Sequence, residues 1–127
     1  MNVPGNNHFN EQLRMRTMNL AVDVRNLLLS VRVTAIDRPT VNQLIRSSTS
    51  VAANYRAATC ARSNAEFLSK ISIVLEESDE SKFWMEYLLK INIFKDSDIE
   101  GLQKEMDELV RIFSSIRKKM KEKVDRG

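Results

Sequence analysis

The chain has 127 residues, a size that suits one domain with its own hydrophobic core. Glycine occurs three times and proline twice, too rarely for the many tight turns of an all-β fold. The formal net charge of +3 points only weakly to nucleic acid, and no apolar stretch approaches the ~20 residues of a membrane helix.

Residues 1–8 lack the charged and apolar regions of a signal peptide. We expect them to be a disordered leader, followed by a domain at residues 9–127. The single cysteine, Cys60, excludes an intrachain disulfide and fits a reducing compartment. A soluble, cytoplasmic protein is therefore expected.

The first predicted helix follows Asn10, a favourable N-cap residue, and ends before the Asp37-Arg38-Pro39 segment. Its main apolar seam alternates spacings of four and three residues: Leu13, Thr17, Leu20, Val24, Leu27 and Val31. A second apolar strip beside it consists of Met18, Val22 and Leu29. So broad an apolar surface predicts a helix that is buried on more than one side.

The second predicted helix begins near Pro39 and ends around residues 60–62. Its inward positions are Val41, Leu44, Ile45, Ser48, Val51, Ala52 and Tyr55. The opposite face is almost uncharged and carries Gln43, Arg46, Ser47, Ser50, Ala53, Asn54 and Ala57. Small uncharged residues suit a second close packing partner, and a merely polar exposed face is the alternative.

The third predicted helix opens with a capping box at Ser63-Asn64-Ala65-Glu66. Ser78 falls on its apolar stripe, which indicates close helix approach or a hydroxyl bonded to its own helix. A second stripe mixes carboxylates with large apolar groups: Ile73, Glu77, Glu80, Trp84, Tyr87 and Ile91. It fits either the flank of a wide core or a subunit interface, where Arg46 would pair with a carboxylate.

The fourth predicted helix opens with a second capping box at Ser97-Asp98-Ile99-Glu100. Its seam alternates spacings of three and four residues through Ile99, Leu102, Met106, Leu109, Phe113, Ile116 and Met120. Four long helices with short connections predict an all-α fold, an up-down-up-down four-helix bundle.

Catalytic and metal-binding patterns are missing from the sequence. The only histidine, His8, falls in the predicted leader, so no serine has a base to activate it and no inward Glu-x-x-His pair exists. There is no glycine-rich phosphate loop. We therefore expect no enzymatic activity, no cofactor and no metal.

Positive charge is concentrated in two parts of the chain. Residues 1–62 contain eight arginines, no lysine and three acids. The candidate nucleic-acid site is a basic segment near the C-terminus, carried by Arg111, Arg117, Lys118, Lys119, Lys121 and Lys123. The alternative is that these bases only complement the dipole at the end of a helix.

Residues 43–58 read QLIRSSTSVAANYRAA, and residues 62–90 read RSNAEFLSKISIVLEESDESKFWMEYLLK. These stretches resemble a bacterial four-helix bundle family that includes proteins encoded within intervening sequences of 23S ribosomal RNA genes, loosely called S23 proteins. Accessory proteins of diversity-generating retroelements are similar. The family's motif positions correspond to Arg46, Ser50, Asn54, Tyr55, Arg56, Ser63, Phe67, Lys70, Glu77, Glu80 and Trp84.

The resemblance implies a bundle that assembles into a ring, commonly a pentamer. For the retroelement relatives it also implies binding to nucleic acid and to a reverse transcriptase. The family often has a glutamate where this chain has Ala57, so the polar network around Arg56 is expected to differ.

Two functions remain open at this stage. The first is a non-catalytic oligomeric adapter that binds RNA or DNA. The second is a structural or protein-interaction oligomer without nucleic-acid binding, which the acidic run at residues 76–80 favours. Both involve self-assembly through the second and third helices, with an interface made by Arg46, Ser50, Asn54, Glu77, Glu80, Trp84 and Tyr87.

Overall fold

The computed structural model describes residues 7–127, and four helices account for most of them. The helices are α1 (Asn7–Ser30), α2 (Arg38–Thr59), α3 (Asn64–Lys90) and α4 (Asp96–Asp125). Each helix packs against its neighbours in sequence, most extensively α2 against α3, and α1 also touches α4. Within residues 7–127 the backbones of the diagonal pairs do not pack against each other, although core side chains such as Tyr55 and Phe113 meet across a diagonal. This arrangement is the predicted all-α, up-down-up-down bundle.

α1 begins earlier than the sequence predicted. Asn7 and His8 of the leader expected at residues 1–8 belong to the helix, and residues 1–6 lie outside the described residues. Asn10, predicted to be the N-cap, lies inside the helix and is only 2% exposed. Its side-chain oxygen accepts a hydrogen bond from the Tyr55 hydroxyl at 3.4 Å. Asn10 is therefore a core residue that links α1 to α2.

The predicted seam of α4 forms one wall of the core. Its residues from Ile99 to Met120 are buried, except for half-buried Leu102. Phe113 packs against Tyr55 of α2, with ring centroids 5.5 Å apart.

Ser78 of α3 is also fully buried. Its hydroxyl donates to the Val74 carbonyl of the same helix at 2.7 Å, which is one of the two roles that the sequence predicted for it.

The helix ends agree only in part with the predicted caps. Ser63 caps α3 as expected, because its Oγ accepts from the Glu66 amide at 3.0 Å. The cap of α4 lies two residues before the predicted one: α4 begins at Asp96, and the Asp98 carboxylate accepts from the Lys95 amide at 2.8 Å.

The end of α3 is shaped by Asn92, which has a φ of 64°. The backbone N–H of Asn92 donates to the Leu89 carbonyl at 3.0 Å, and the backbone N–H of Ile93 donates to the Leu88 carbonyl at 2.9 Å. This pair of bonds is a Schellman motif with asparagine in the left-handed position. The turn places Phe94, only 2% exposed, back into the core before α4 starts.

Candidate nucleic-acid and assembly surfaces

The predicted basic segment lies in the last four turns of α4, and part of it is engaged within the subunit. Arg117 donates its Nε proton to the Ser72 hydroxyl of α3 at 2.9 Å. Lys121 pairs with Asp125 one turn further along, at 3.1 Å. Lys123 is half-buried. Of these three bases only Lys121 is paired with an acid, whereas Arg117 and Lys123 keep their charge but are less exposed than the sequence pattern indicated.

The other three candidate bases, Arg111, Lys118 and Lys119, are exposed. None of them forms an ion pair with any part of residues 7–127. Arg111 and Lys118 are seven residues apart and so share one side of the helix, about 10 Å from each other. We call these three residues the α4 basic surface.

Arg46 meets the acidic partners that the sequence suggested, but within one subunit. Its guanidinium donates to Glu77 through Nη1 at 2.8 Å and through Nη2 at 3.2 Å, and it also bonds Glu80. The hydrogen bonds to Glu77 and Glu80 raise the pKa of Arg46 above its usual value. Both carboxylates belong to the same chain, so these bonds tie α2 to α3 within the subunit, and the pairing expected between subunits stays a prediction.

Part of the nearly uncharged face of α2 packs inside the subunit. Ser47 is fully buried and its hydroxyl lies 2.9 Å from the Ser81 hydroxyl of α3. Ser50 and Asn54 continue this side of α2 and are half-buried, and the Asn54 amide donates to the Ser50 carbonyl. α3 of the same chain therefore covers the Ser47 side of this face, whereas Gln43, Arg46 and Ala53 are exposed.

Trp84 and Tyr87 form an aromatic cluster on α3 together with Phe83. The Phe83 and Trp84 rings meet edge to face with centroids 4.8 Å apart, and Tyr87 lies 5.8 Å from Trp84. Phe83 is 54% exposed and Tyr87 is 37% exposed. Glu80 accepts from the Trp84 indole at 3.2 Å, and its pKa is lowered mainly by its hydrogen bond with Arg46. We call Phe83, Trp84 and Tyr87 the aromatic face of α3.

The second apolar strip of α1 is not buried within the subunit, contrary to the sequence prediction. Met18, Val22 and Leu29 are 51%, 46% and 68% exposed. Met15, which the prediction had left out, extends the strip and is 58% exposed. α2 and α4 pack against other sides of α1, and this surface stays largely exposed in the described chain. We call these four residues the outer stripe of α1.

Sequence reasoning missed the ion pairs between α1 and α4. Arg16 bonds Glu105 at 2.7 Å and 3.0 Å in a bidentate pair, and it also reaches Glu108 at 3.0 Å. The bonds to Glu105 and Glu108 raise the pKa of Arg16 above its usual value. The two carboxylates are spaced like those that hold Arg46, an arginine opposite Glu-x-x-Glu. This repeated Glu-x-x-Glu spacing is the sequence feature from which the ion pairs of Arg16 could have been predicted.

A shallow groove separates α1 from α2. It is lined by Met15 and Met18 of the outer stripe and by Glu11, Arg14, Ala52 and Arg56. Arg14 donates two hydrogen bonds to the Thr59 hydroxyl, at 2.8 Å and 3.0 Å. Arg56 forms no ion pair with residues 7–127. The groove therefore places the Met15 and Met18 side chains beside two arginines, Arg14 and Arg56.

Residues 7–127 contain no group of three or more histidine, cysteine, aspartate or glutamate side chains that could hold a metal ion. No helix in this part of the chain is long and apolar enough to cross a membrane. Cys60 is an exposed free thiol that follows the last residue of α2.

Comparison with known proteins gives two similarities. A family model described as 23S rRNA-intervening sequence protein matches residues 11–115. The fold is similar to a 1.70 Å crystal structure of a protein of unknown function from the S23 ribosomal protein family of Bacteroides thetaiotaomicron VPI-5482, with a TM-score of 0.72 and 28% identity. That similarity covers 83% of this chain and 97% of the other. No curated protein is significantly similar to the chain.

Proposed function

The chain belongs to the 23S rRNA-intervening sequence protein family, and we propose that it is a non-catalytic, oligomeric adapter that binds the backbone of RNA or DNA in the cytoplasm. The observation that carries the proposal is the α4 basic surface, Arg111, Lys118 and Lys119. These bases are exposed and unpaired within residues 7–127, so they can neutralise phosphates without first breaking an internal ion pair.

Three bases give weak binding to a polyanion. An oligomer presents the same surface once per subunit on one rigid assembly, and linked contacts strengthen binding far beyond that of one subunit. Phosphate contacts carry no sequence information by themselves. The adapter would therefore read charge and shape rather than base sequence.

The test compares retention of structured RNA and of duplex DNA by the wild type and by a Lys118→Glu/Lys119→Glu variant at low salt. The wild type should retain both polymers at micromolar concentration, and raising the salt should abolish retention. The variant should bind more weakly. Its plot of log affinity against log salt should be shallower, by ~0.9 for each duplex DNA phosphate that the variant no longer neutralises.

Lys104→Glu/Lys95→Glu is the matched control. It makes the same charge change at two exposed lysines near the opposite end of α4. If this control weakens binding as much as the double change at the α4 basic surface, net charge and not this site governs retention. Failure of the wild type to retain either polymer at low salt would remove the adapter function.

The second candidate is an oligomer that interacts with proteins and does not bind nucleic acid. The exposed outer stripe of α1 and the aromatic face of α3 favour it, since soluble monomers seldom keep such apolar patches in water. Glu122 and Asp125, which lie among the C-terminal bases, reduce the positive charge there. The retention experiment separates the two candidates.

A further inference from the structure

We propose that the outer stripe of α1 in one subunit docks onto the aromatic face of α3 in a second copy of this chain. Each subunit would then contact one neighbour through its outer stripe and another neighbour through its aromatic face. The inference rests on the oligomeric part of the proposed function and names the surfaces that form the contact.

The apolar content of both faces motivates the pairing. Met15, Met18 and Val22 are spaced by three and four residues, and Leu29 follows seven residues later. This is the spacing of a seam that packs against another helix, and it extends over about 21 Å of α1. On α3, Phe83 and Tyr87 also lie four residues apart and are held in position by contacts with Trp84. Rigid aromatic side chains of this kind are typical anchors of an interface.

The charges around the two faces are complementary. The outer stripe is bordered by Arg14 and Arg56, which line the same groove as Met15 and Met18. Arg25, three residues beyond Val22, is exposed and bonded only to the neutral Asn26. This border also contains one acid, Glu11.

The aromatic face of α3 is bordered instead mainly by acids, Glu76, Asp79 and Glu86, with one exposed base, Lys90, three residues after Tyr87. The three acids are exposed and form no ion pair with residues 7–127. A basic border facing an acidic border favours contact between α1 and α3. It disfavours α1 against α1 and α3 against α3, because like charges would then meet.

The two faces do not meet within one subunit, because they are exposed on α1 and α3, diagonal helices whose backbones do not pack against each other. A contact between unlike faces is heterologous, and it produces a ring or a filament according to the angle between the faces. Both faces adjoin α2: the outer stripe through the groove with Ala52 and Arg56, the aromatic face through the Glu80–Arg46 bond. They are therefore inclined toward the same side of the subunit, which favours closure into a ring.

The first experiment measures mass by sedimentation equilibrium at micromolar protein, without nucleic acid. The wild type should form a species of several 14.6 kDa chains. Val22→Glu breaks the outer stripe, and Phe83→Glu breaks the aromatic face. Each change should weaken assembly on the order of 30-fold or more, as loss of a central anchor does, and shift the mass toward one chain.

The decisive experiment mixes the two variants. Val22→Glu keeps an intact aromatic face and Phe83→Glu keeps an intact outer stripe, so one good contact can form between them. The mixture should give a 1:1 complex of twice the 14.6 kDa of one chain, although neither variant forms it alone. Ser115→Glu is the matched control, because it adds the same charge at an exposed position of α4 and should leave assembly intact.

A monomeric wild type would overturn the proposal, as would variants that assemble like the wild type. Two monomeric variants that do not combine would show that α1 and α3 are not partners of each other. Circular dichroism of each variant should match the wild type, because both substituted side chains are about half exposed. An assembled protein that does not retain RNA would end the adapter function and leave this contact unaffected.

Discussion

Arg46 is the residue whose role differs most from what the sequence suggested. It bridges Glu77 and Glu80 across the contact between α2 and α3, so its contribution belongs to the stability of each subunit. The side chain is about half exposed, and solvent weakens such pairs. The contact is nevertheless directional, because one guanidinium serves two carboxylates.

We expect Arg46→Ala to lower the free energy of unfolding by up to about 1 kcal/mol. Arg46→Glu should be more harmful, since it places a third carboxylate beside Glu77 and Glu80. Arg32→Ala, which removes an exposed arginine without an acidic partner in residues 7–127, is the control and should change stability little. Chemical denaturation of the three variants gives the comparison. Equal effects of Arg46→Ala and Arg32→Ala would mean that the bridge contributes nothing measurable.

At the scale of elements, the seam of α4 contributes most of one wall of the core. Leu109 and Phe113 are fully buried, and the packing around them leaves little room to collapse into a vacated space. Leu109→Ala or Phe113→Ala should each lower the free energy of unfolding by about 2–5 kcal/mol, through reduced burial and a residual cavity. Ser115→Ala, on the exposed side of the same helix, should change it little. A decrease below ~1 kcal/mol at either core position would contradict this packing.

The end of α3 depends on backbone conformation instead of burial. Asn92 has a φ of 64°, where a β-carbon is unfavourable and asparagine is tolerated better than most residues. Asn92→Ala should therefore cost about 1 kcal/mol of stability, whereas Asn92→Gly should be neutral or stabilising. Thermal melting of the two variants checks the order. A more stable Asn92→Ala would show that the side chain, and not the conformation, matters at this position.

At the scale of the whole molecule, the sequence specified the bundle well and its surfaces less well. The seam of α4 predicted burial correctly because helical spacing determines which residues share a face. The same spacing brought Arg46 and Glu77 together but could not say whether they meet within one chain or between two. It likewise grouped Met18 with Val22 without showing whether another helix of the subunit covers them. Those questions depend on how the four helices are arranged, which no single helix encodes.

The surfaces proposed for assembly and for nucleic-acid binding are separate on this molecule, so coupling between the two functions can be tested. The α4 basic surface is on a different helix from both proposed docking faces, so each can be changed without touching the other. Phe83→Ala removes an anchor of the aromatic face and alters no charge. It should give subunits that keep Arg111, Lys118 and Lys119 but bind RNA more weakly, because contacts no longer add up across copies.

The plot of log affinity against log salt measures this coupling, since its slope reports the number of phosphate contacts made together. Phe83→Ala should make the slope shallower and lower the sedimenting mass, whereas Lys118→Glu/Lys119→Glu should make the slope shallower and leave the mass unchanged. Ile36→Ala, which trims an isoleucine that is 84% exposed in the connection between α1 and α2, should affect neither quantity. A monomeric Phe83→Ala protein that binds RNA with the wild-type slope would show that each subunit binds alone, and that assembly does not increase avidity for nucleic acid.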